Sequence, residues 1–189
     1  NNSTNYTMKT KIVVEIVHGM ICLHKHNIIH RDLKIQNILL DSNFNAKIVD
    51  FGLVKINESD SDFNLTMTKC VGSISYMSPE MENGDDYDFK TDVYSFGIVL
   101  YYIFVGELPK RKLGDEFYSI LLPKKSESIS KVCLDLISSC LSYQKEDRPT
   151  FDEILKLIRD NSYLLASNID KELVEKRDME INKYENIFM

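Results

Sequence analysis

The sequence is short of the features that mark several classes of protein. Positive charge is one: 23 Lys and Arg stand against 29 Asp and Glu, a net charge of −6. Phosphate backbones are recognised by clustered basic side chains, so nucleic-acid binding is not expected as the main work of this chain. A long apolar run is also missing. The longest, Val93 to Val105, is interrupted by Tyr94, Ser95, Tyr101 and Tyr102 and falls short of the roughly 20 residues that cross a bilayer. It reads as a buried helix, and no membrane span is expected. The opening Asn1-Asn2-Ser3-Thr4-Asn5 has no basic stretch followed by an apolar one, so no signal peptide is read and a cytoplasmic location is expected for this segment. Without secretion the sequons at Asn1, Asn2, Asn5, Asn57 and Asn64 carry no weight. Cys22, Cys70, Cys133 and Cys140 show no C-x-x-C spacing, which favours buried free thiols. The histidines crowd between His18 and His30, but no thiol or carboxylate completes a ligand set around His24, His26 and His30 at a familiar spacing. The seven glycines never fall two apart, so no G-x-G turn exists, and no repeat or low-complexity stretch is visible. With 189 residues and 43% hydrophobic content, one domain with one sizeable core is the default.

What is present begins with His30-Arg31-Asp32-Leu33-Lys34-Ile35-Gln36-Asn37, followed thirteen residues after Asn37 by Asp50-Phe51-Gly52. Between them lie two short β-prone runs, Ile38-Leu39-Leu40 and Ala46-Lys47-Ile48-Val49, split by the turn-rich Asp41-Ser42-Asn43-Phe44-Asn45. That pattern reads as a hairpin. A hairpin returns to its starting end, so Asn37 and Asp50 should emerge side by side, with Asp32 on the loop just upstream. Mg²⁺ takes hard oxygen ligands, few from protein and the rest from phosphate and water, so an Asp with an Asn carbonyl is a sensible pair. Asp32 is then left for other work.

This stretch resembles the catalytic loop and metal-binding motif of eukaryotic protein kinases. The resemblance implies that Asp32 accepts the proton of a substrate hydroxyl, that Lys34 neutralises the transferring phosphate, and that Asn37 and Asp50 hold Mg²⁺. It also implies ATP binding by Lys34, Asn37, Leu39 and Asp50, with ATP and a protein as the partners. Phosphoryl transfer needs aligned groups and positive charge more than a strong nucleophile, which suits these residue types independently. Lys34, where tyrosine kinases usually carry Ala or Arg, resembles the serine/threonine type. His30 matches the family residue that packs under the catalytic loop.

Three helices are expected from apolar spacing. Ile12, Val13, Ile16, Val17, Met20 and Leu23 mark the first, which would deliver the catalytic loop. Ile129, Val132, Cys133, Leu136, Ile137, Cys140 and Leu141 mark the second. The third opens at Thr150, which can cap it while Glu153 returns the bond, ahead of Ile154, Leu155, Leu157 and Ile158. These stripes read as core.

From Asp50 to Glu80 the chain is rich in hydroxyls and reads as a mobile loop. In the resemblance it is the activation segment, closing at Ser78-Pro79-Glu80, where the family usually has Ala-Pro-Glu. Arg31 beside Asp32 resembles kinases whose segment is ordered by phosphorylation, because guanidinium pairs bidentately with phosphate; Thr66 or Thr68 would carry it. Ser73 stands where serine/threonine kinases usually carry Thr. Asp92-Val93-Tyr94-Ser95-Phe96-Gly97 and Arg148-Pro149-Thr150 resemble two further signatures. They imply that Asp92 braces the catalytic loop and that Glu80 and Arg148 form a buried ion pair. The flavour of these motifs resembles the tyrosine-kinase-like group.

The fold class expected is therefore α+β, a protein-kinase-like fold with a mainly helical C-lobe and a short β-hairpin. Residues 1–10 read as a linker remnant, 11–160 as the C-lobe and 161–189 as a charged tail. Ile169, Leu173, Ile181, Tyr184 and Phe188 lie near a helical period there, interrupted by Arg177, which suits a helix that docks on the lobe or binds a partner. The family's N-lobe, with its glycine-rich loop, strand lysine and helix glutamate, is absent from this chain. The expected function is the catalytic lobe of a serine/threonine kinase in signal transduction, weakly active or inactive alone. The alternative is a pseudokinase-like interaction module without turnover.

Overall fold

A computed structural model describes residues 2–50, 55–56, 74–109 and 128–188. Thr66, Thr68, Ser73 and Cys70 lie outside the described residues.

Helix α1 (Asn2–Lys25) buries Val13, Val14, Ile16, Val17, Met20 and Ile21, while Ile12 and Leu23 pack half-buried at the margin of the same core. It takes in residues 2–10 as well, with Thr7 and Thr10 buried. The chain leaves α1 through Asn27, whose φ of 57° is left-handed, and enters β1 (Ile28–Ile29), which pairs with β4 (Lys55–Ile56).

The expected hairpin is β2 (Ile38–Leu40) and β3 (Ala46–Ile48), antiparallel, with Ile38 opposite Ile48 and Leu40 opposite Ala46. Asp41 closes its turn by accepting from the backbone N–H groups of Asn43 and Asn45 at 2.8 and 2.9 Å. Such short-range Asp-to-backbone bonds are what make Asp a turn residue. Those bonds hold the Asp41 carboxyl below its ordinary value.

After the short α2 (Pro79–Asn83), helix α3 (Lys90–Val105) runs through the centre and is buried on nearly all sides. It stops at Gly106, whose φ of 91° suits glycine. Helix α4 (Lys131–Cys140) is capped by Ser130, which accepts from the Cys133 N–H, and buries Cys133, Leu136, Ile137 and Cys140 against α3. Helix α5 (Phe151–Asp160) carries the expected capping box: Glu153 N–H donates to Thr150 Oγ1, and Thr150 N–H to Glu153 Oε2. Phe151, Ile154, Leu155 and Ile158 are buried, but Leu157 is 37% exposed. At 3.6 residues per turn it sits roughly 110° round from the centre of that stripe.

Helix α6 (Lys171–Phe188) lies against α1. Its buried face is Val174 and Asp178, whereas Leu173 is exposed. The apolar spacing points to Leu173, but ion pairs from Asp178 to Arg159 and from Arg177 to Glu15 set the rotation of the helix instead. Cys22 is exposed on α1, so not every thiol is buried. Among the described residues the fold is six α-helices with two small antiparallel two-stranded sheets, a kinase C-lobe-like arrangement. None of these helices is long and apolar enough to cross a membrane.

Candidate active site

The loop between β1 and β2 is fixed from below by Asp92, near the start of α3 and fully buried. Asp92 Oδ2 accepts from the His30 backbone N–H and Oδ1 from that of Arg31, both at 2.9 Å. A third group, His24 Nε2 at the end of α1, lies 3.0 Å from Oδ2, with its ring against Phe89 and Phe151. A buried carboxylate must have such partners, because an unpaired charge there is very costly. The loop bends over it at Arg31, whose φ of 64° is left-handed, a conformation that a non-glycine residue holds only when its surroundings fix it.

His30 is fully buried beneath the loop. Its Nδ1 accepts from the Asp32 N–H at 3.3 Å, which leaves the proton on Nε2 to donate to the Val49 carbonyl, also at 3.3 Å. One imidazole thus joins the Asp32 loop to the end of the hairpin.

The side chains of Asp32, Lys34 and Asn37 meet. Lys34 Nζ lies 2.5 Å from Asp32 Oδ2. Asn37 Nδ2 donates to the Asp32 carbonyl at 2.8 Å and to Oδ2 at 3.1 Å. With its nitrogen on Asp32, Asn37 can offer a cation only its amide oxygen. The Val49 N–H donates to the Asn37 carbonyl at 2.9 Å, so the hairpin brings Asp50 to the Asn37 end. Asp50 is exposed, with a left-handed φ of 65°. The donor set of one carboxylate and one amide oxygen suits Mg²⁺ completed by phosphate and water oxygens. Among the described residues no group of three or more His, Cys, Asp and Glu is placed to hold a metal ion. Leu39 projects from β2 with 54% of its surface exposed. Arg31 stacks 5.2 Å over the Tyr87 ring, and its Nε and Nη2 are buried with no hydrogen-bond partner among the described residues.

Glu80 and Arg148 form a two-pronged pair, Nη1 to Oε1 at 2.7 Å and Nη2 to Oε2 at 2.8 Å. Burial alone would push the Glu80 carboxyl up; the Arg148 bonds outweigh it and hold Glu80 below the ordinary carboxylate range. The other Arg148 N–H groups donate to the carbonyls of Ser142, Lys90 and Tyr143.

Sequence reasoning weighs His24 only as a metal ligand, reads Arg177 only as a break in the tail's apolar stripe and passes over Asp178. The one available signal was that charged residues fell on an otherwise apolar helical period.

Residues 2–157 match the family described as the protein kinase domain. The chain is 38% identical over 162 residues to a probable serine/threonine-protein kinase of Dictyostelium discoideum, covering 82% of this chain and 17% of that protein. It is 37% identical over 153 residues to the serine/threonine-protein kinase A-Raf of Homo sapiens, a tyrosine-kinase-like group member, covering 74% and 25%. A serine/threonine-protein kinase of Arabidopsis thaliana is 31% identical over 173 residues, covering 88% and 29%. The chain thus spans less than a third of the length of each of these relatives.

Proposed function

The chain belongs to the protein kinase family, and from that premise we propose that it supplies the catalytic lobe of a serine/threonine kinase that moves the γ-phosphoryl group of ATP to protein hydroxyls. The observation that carries the reading is the Asp32 carboxylate, held by Lys34 Nζ and Asn37 Nδ2 on a loop whose backbone is pinned to the buried Asp92. Protein kinases generally use ATP and Mg²⁺.

In this reading Asp32 orients the substrate hydroxyl and takes its proton as the oxygen attacks. Fixing the carboxylate beforehand lowers the entropic part of the barrier, and a positioned base contributes about 10²–10⁴-fold. Lys34, held beside Asp32, supplies the ammonium that offsets charge building on the transferring group. Asn37, through its amide oxygen, and Asp50 would hold Mg²⁺, which would offset the charge of the phosphates. Leu39, apolar and exposed, suits an apolar face of the nucleotide. Arg31 is the partner of a phosphate on Thr66 or Thr68; its Nε and Nη2, which have no hydrogen-bond partner among the described residues, support that role. The lobe is residues 11–160, flanked by 1–10 and by the charged segment 161–189.

The test is radiolabel transfer from Mg-ATP to casein by the natural gene product that includes these residues, compared with its Asp32→Asn variant. The variant should lose at least about 100-fold in rate with its circular dichroism unchanged. Equal rates in the two proteins would overturn the assignment.

A further inference from the structure

Helix α6 is joined to the lobe through charge. Asp178, 2% exposed, lies within 2.7 Å of His18 Nε2 on α1, accepts from Arg159 Nε and Nη2 on α5 at 2.7 and 2.8 Å, and accepts from the Tyr163 hydroxyl at 2.5 Å. These partners, on three separate segments, fix both the position of α6 and its rotation about its own axis. The neighbouring residue, Arg177, is thereby aimed at Glu15 of α1, and its Nε donates to Glu15 Oε1 at 2.6 Å.

Glu15 is buried and its other oxygen is committed elsewhere: Oε2 accepts from the backbone N–H of Ala46, the first residue of β3, at 2.6 Å. Lys11 completes the arrangement. Its Nζ stands 3.5 Å from Glu15 Oε1 while donating to the Phe44 carbonyl and to Asn45 Oδ1 at 3.1 and 2.8 Å. If Arg177 leaves, Glu15 is a buried carboxylate short of a cation. It can draw Lys11 off the hairpin turn or admit water beside Ala46. Either response loosens a hairpin of three residue pairs with no other strand beside it among the described residues, and so small a sheet is barely stable without outside support.

We propose that α6 is a positioning strut for the hairpin that presents Asn37 and Asp50, acting through the relay from Arg177 to Glu15 to Ala46. Its consequence for catalysis rests on the function proposed above; the relay itself does not. Arg177, Glu15 and Lys11 are positioning residues that touch no substrate.

Amide hydrogen exchange on the full 189-residue chain tests the relay without nucleotide. Arg177→Gln should speed exchange at the Ala46 and Val49 amides about fivefold or more, a local opening, while amides at Ile98–Tyr101 in α3 stay at wild-type rates. Arg177→Lys should restore part of the protection. Faster exchange along α6 with Ala46 and Val49 unchanged would overturn the proposal. If the α3 amides also lose protection, Arg177→Gln has unfolded, and Arg177→Lys is judged by the same criterion. In the natural gene product that includes these residues, the Mg²⁺ concentration giving half-maximal transfer should rise about threefold in Arg177→Gln; an unchanged Mg²⁺ dependence would overturn the positioning role. A wild-type protein without transferase activity would defeat the proposed function, and the exchange result would still decide the relay.

Discussion

Glu80 and Arg148, 68 residues apart in sequence, meet as a buried two-pronged ion pair in which all five guanidinium N–H bonds are used, two on Glu80 and three on backbone carbonyls. The pair ties the short helix α2 to the turn before α5. Arg148 is 1% exposed and lies 5.0 Å from the Tyr94 ring. Glu80→Ala should therefore strand a buried cation and cost about 3–5 kcal/mol. Urea unfolding would show this as a lower midpoint, and a change within 1 kcal/mol of zero would contradict it.

Asp178 gives the chain an acid-sensitive joint. Burial alone would push its carboxyl up, but the bonds to His18, Arg159 and Tyr163 outweigh this and hold it far below the ordinary range. A carboxyl lowered in the folded state stabilises the fold above its unfolded value, about 3.9, and that contribution is lost as pH falls through the folded value. Wild-type stability should thus fall steeply below about pH 5. Asp178→Asn should be less stable at neutral pH, by about 3 kcal/mol, and less dependent on pH. Urea midpoints for both proteins between about pH 3 and 7 would reveal parallel curves if the idea is wrong.

Two helical glycines should respond oppositely to alanine. A Cβ on Gly97 would stand 2.9 Å from Cys140 Cβ and from Leu141 Cγ and Cδ2, where α3 packs against the end of α4. Alanine gains about 1 kcal/mol of helix propensity, but Cys140 Cβ cannot yield without moving α4, and overpacking costs about 1–3 kcal/mol. Gly97→Ala should be net destabilising. A Cβ on Gly19 would meet only the flexible end of Ile48, Cδ1 at 2.8 Å, so Gly19→Ala should be neutral or stabilising. Thermal melts of the pair decide the order.

Burial pushes the Cys133 thiol up to about 12 and raises Cys140 as well. The reactive species is the thiolate, so neither should alkylate in the native chain at pH 8, whereas the exposed Cys22 should. Peptide mapping after iodoacetamide treatment would show Cys133 and Cys140 modified only after denaturation.

Much of this architecture could be read locally. Apolar spacing marked the buried faces of α1 and α4. A hydroxyl followed three residues later by a carboxylate marked the start of α5, and the turn residues 41–45 marked the hairpin. Asp32, Lys34 and Asn37 lie within six residues of one another, so one bend of the chain brings them into contact. Leu157 escapes the same reasoning because a period locates a stripe but not its edges, and Leu173 because ion pairs set the rotation of α6.

The sequence by itself determined the elements and the order of the reactive side chains, because helix periods, caps and turns depend on neighbours a few residues away. Only the tertiary structure decided what His24, Glu15, Arg177 and Asp178 do. Their partners lie on elements far along the chain, and a buried charge has no period. Whether such a residue breaks an apolar face or anchors it depends on which polar partner the fold brings within about 3 Å, and for Asp178 of α6 one such partner, His18, sits 160 residues away.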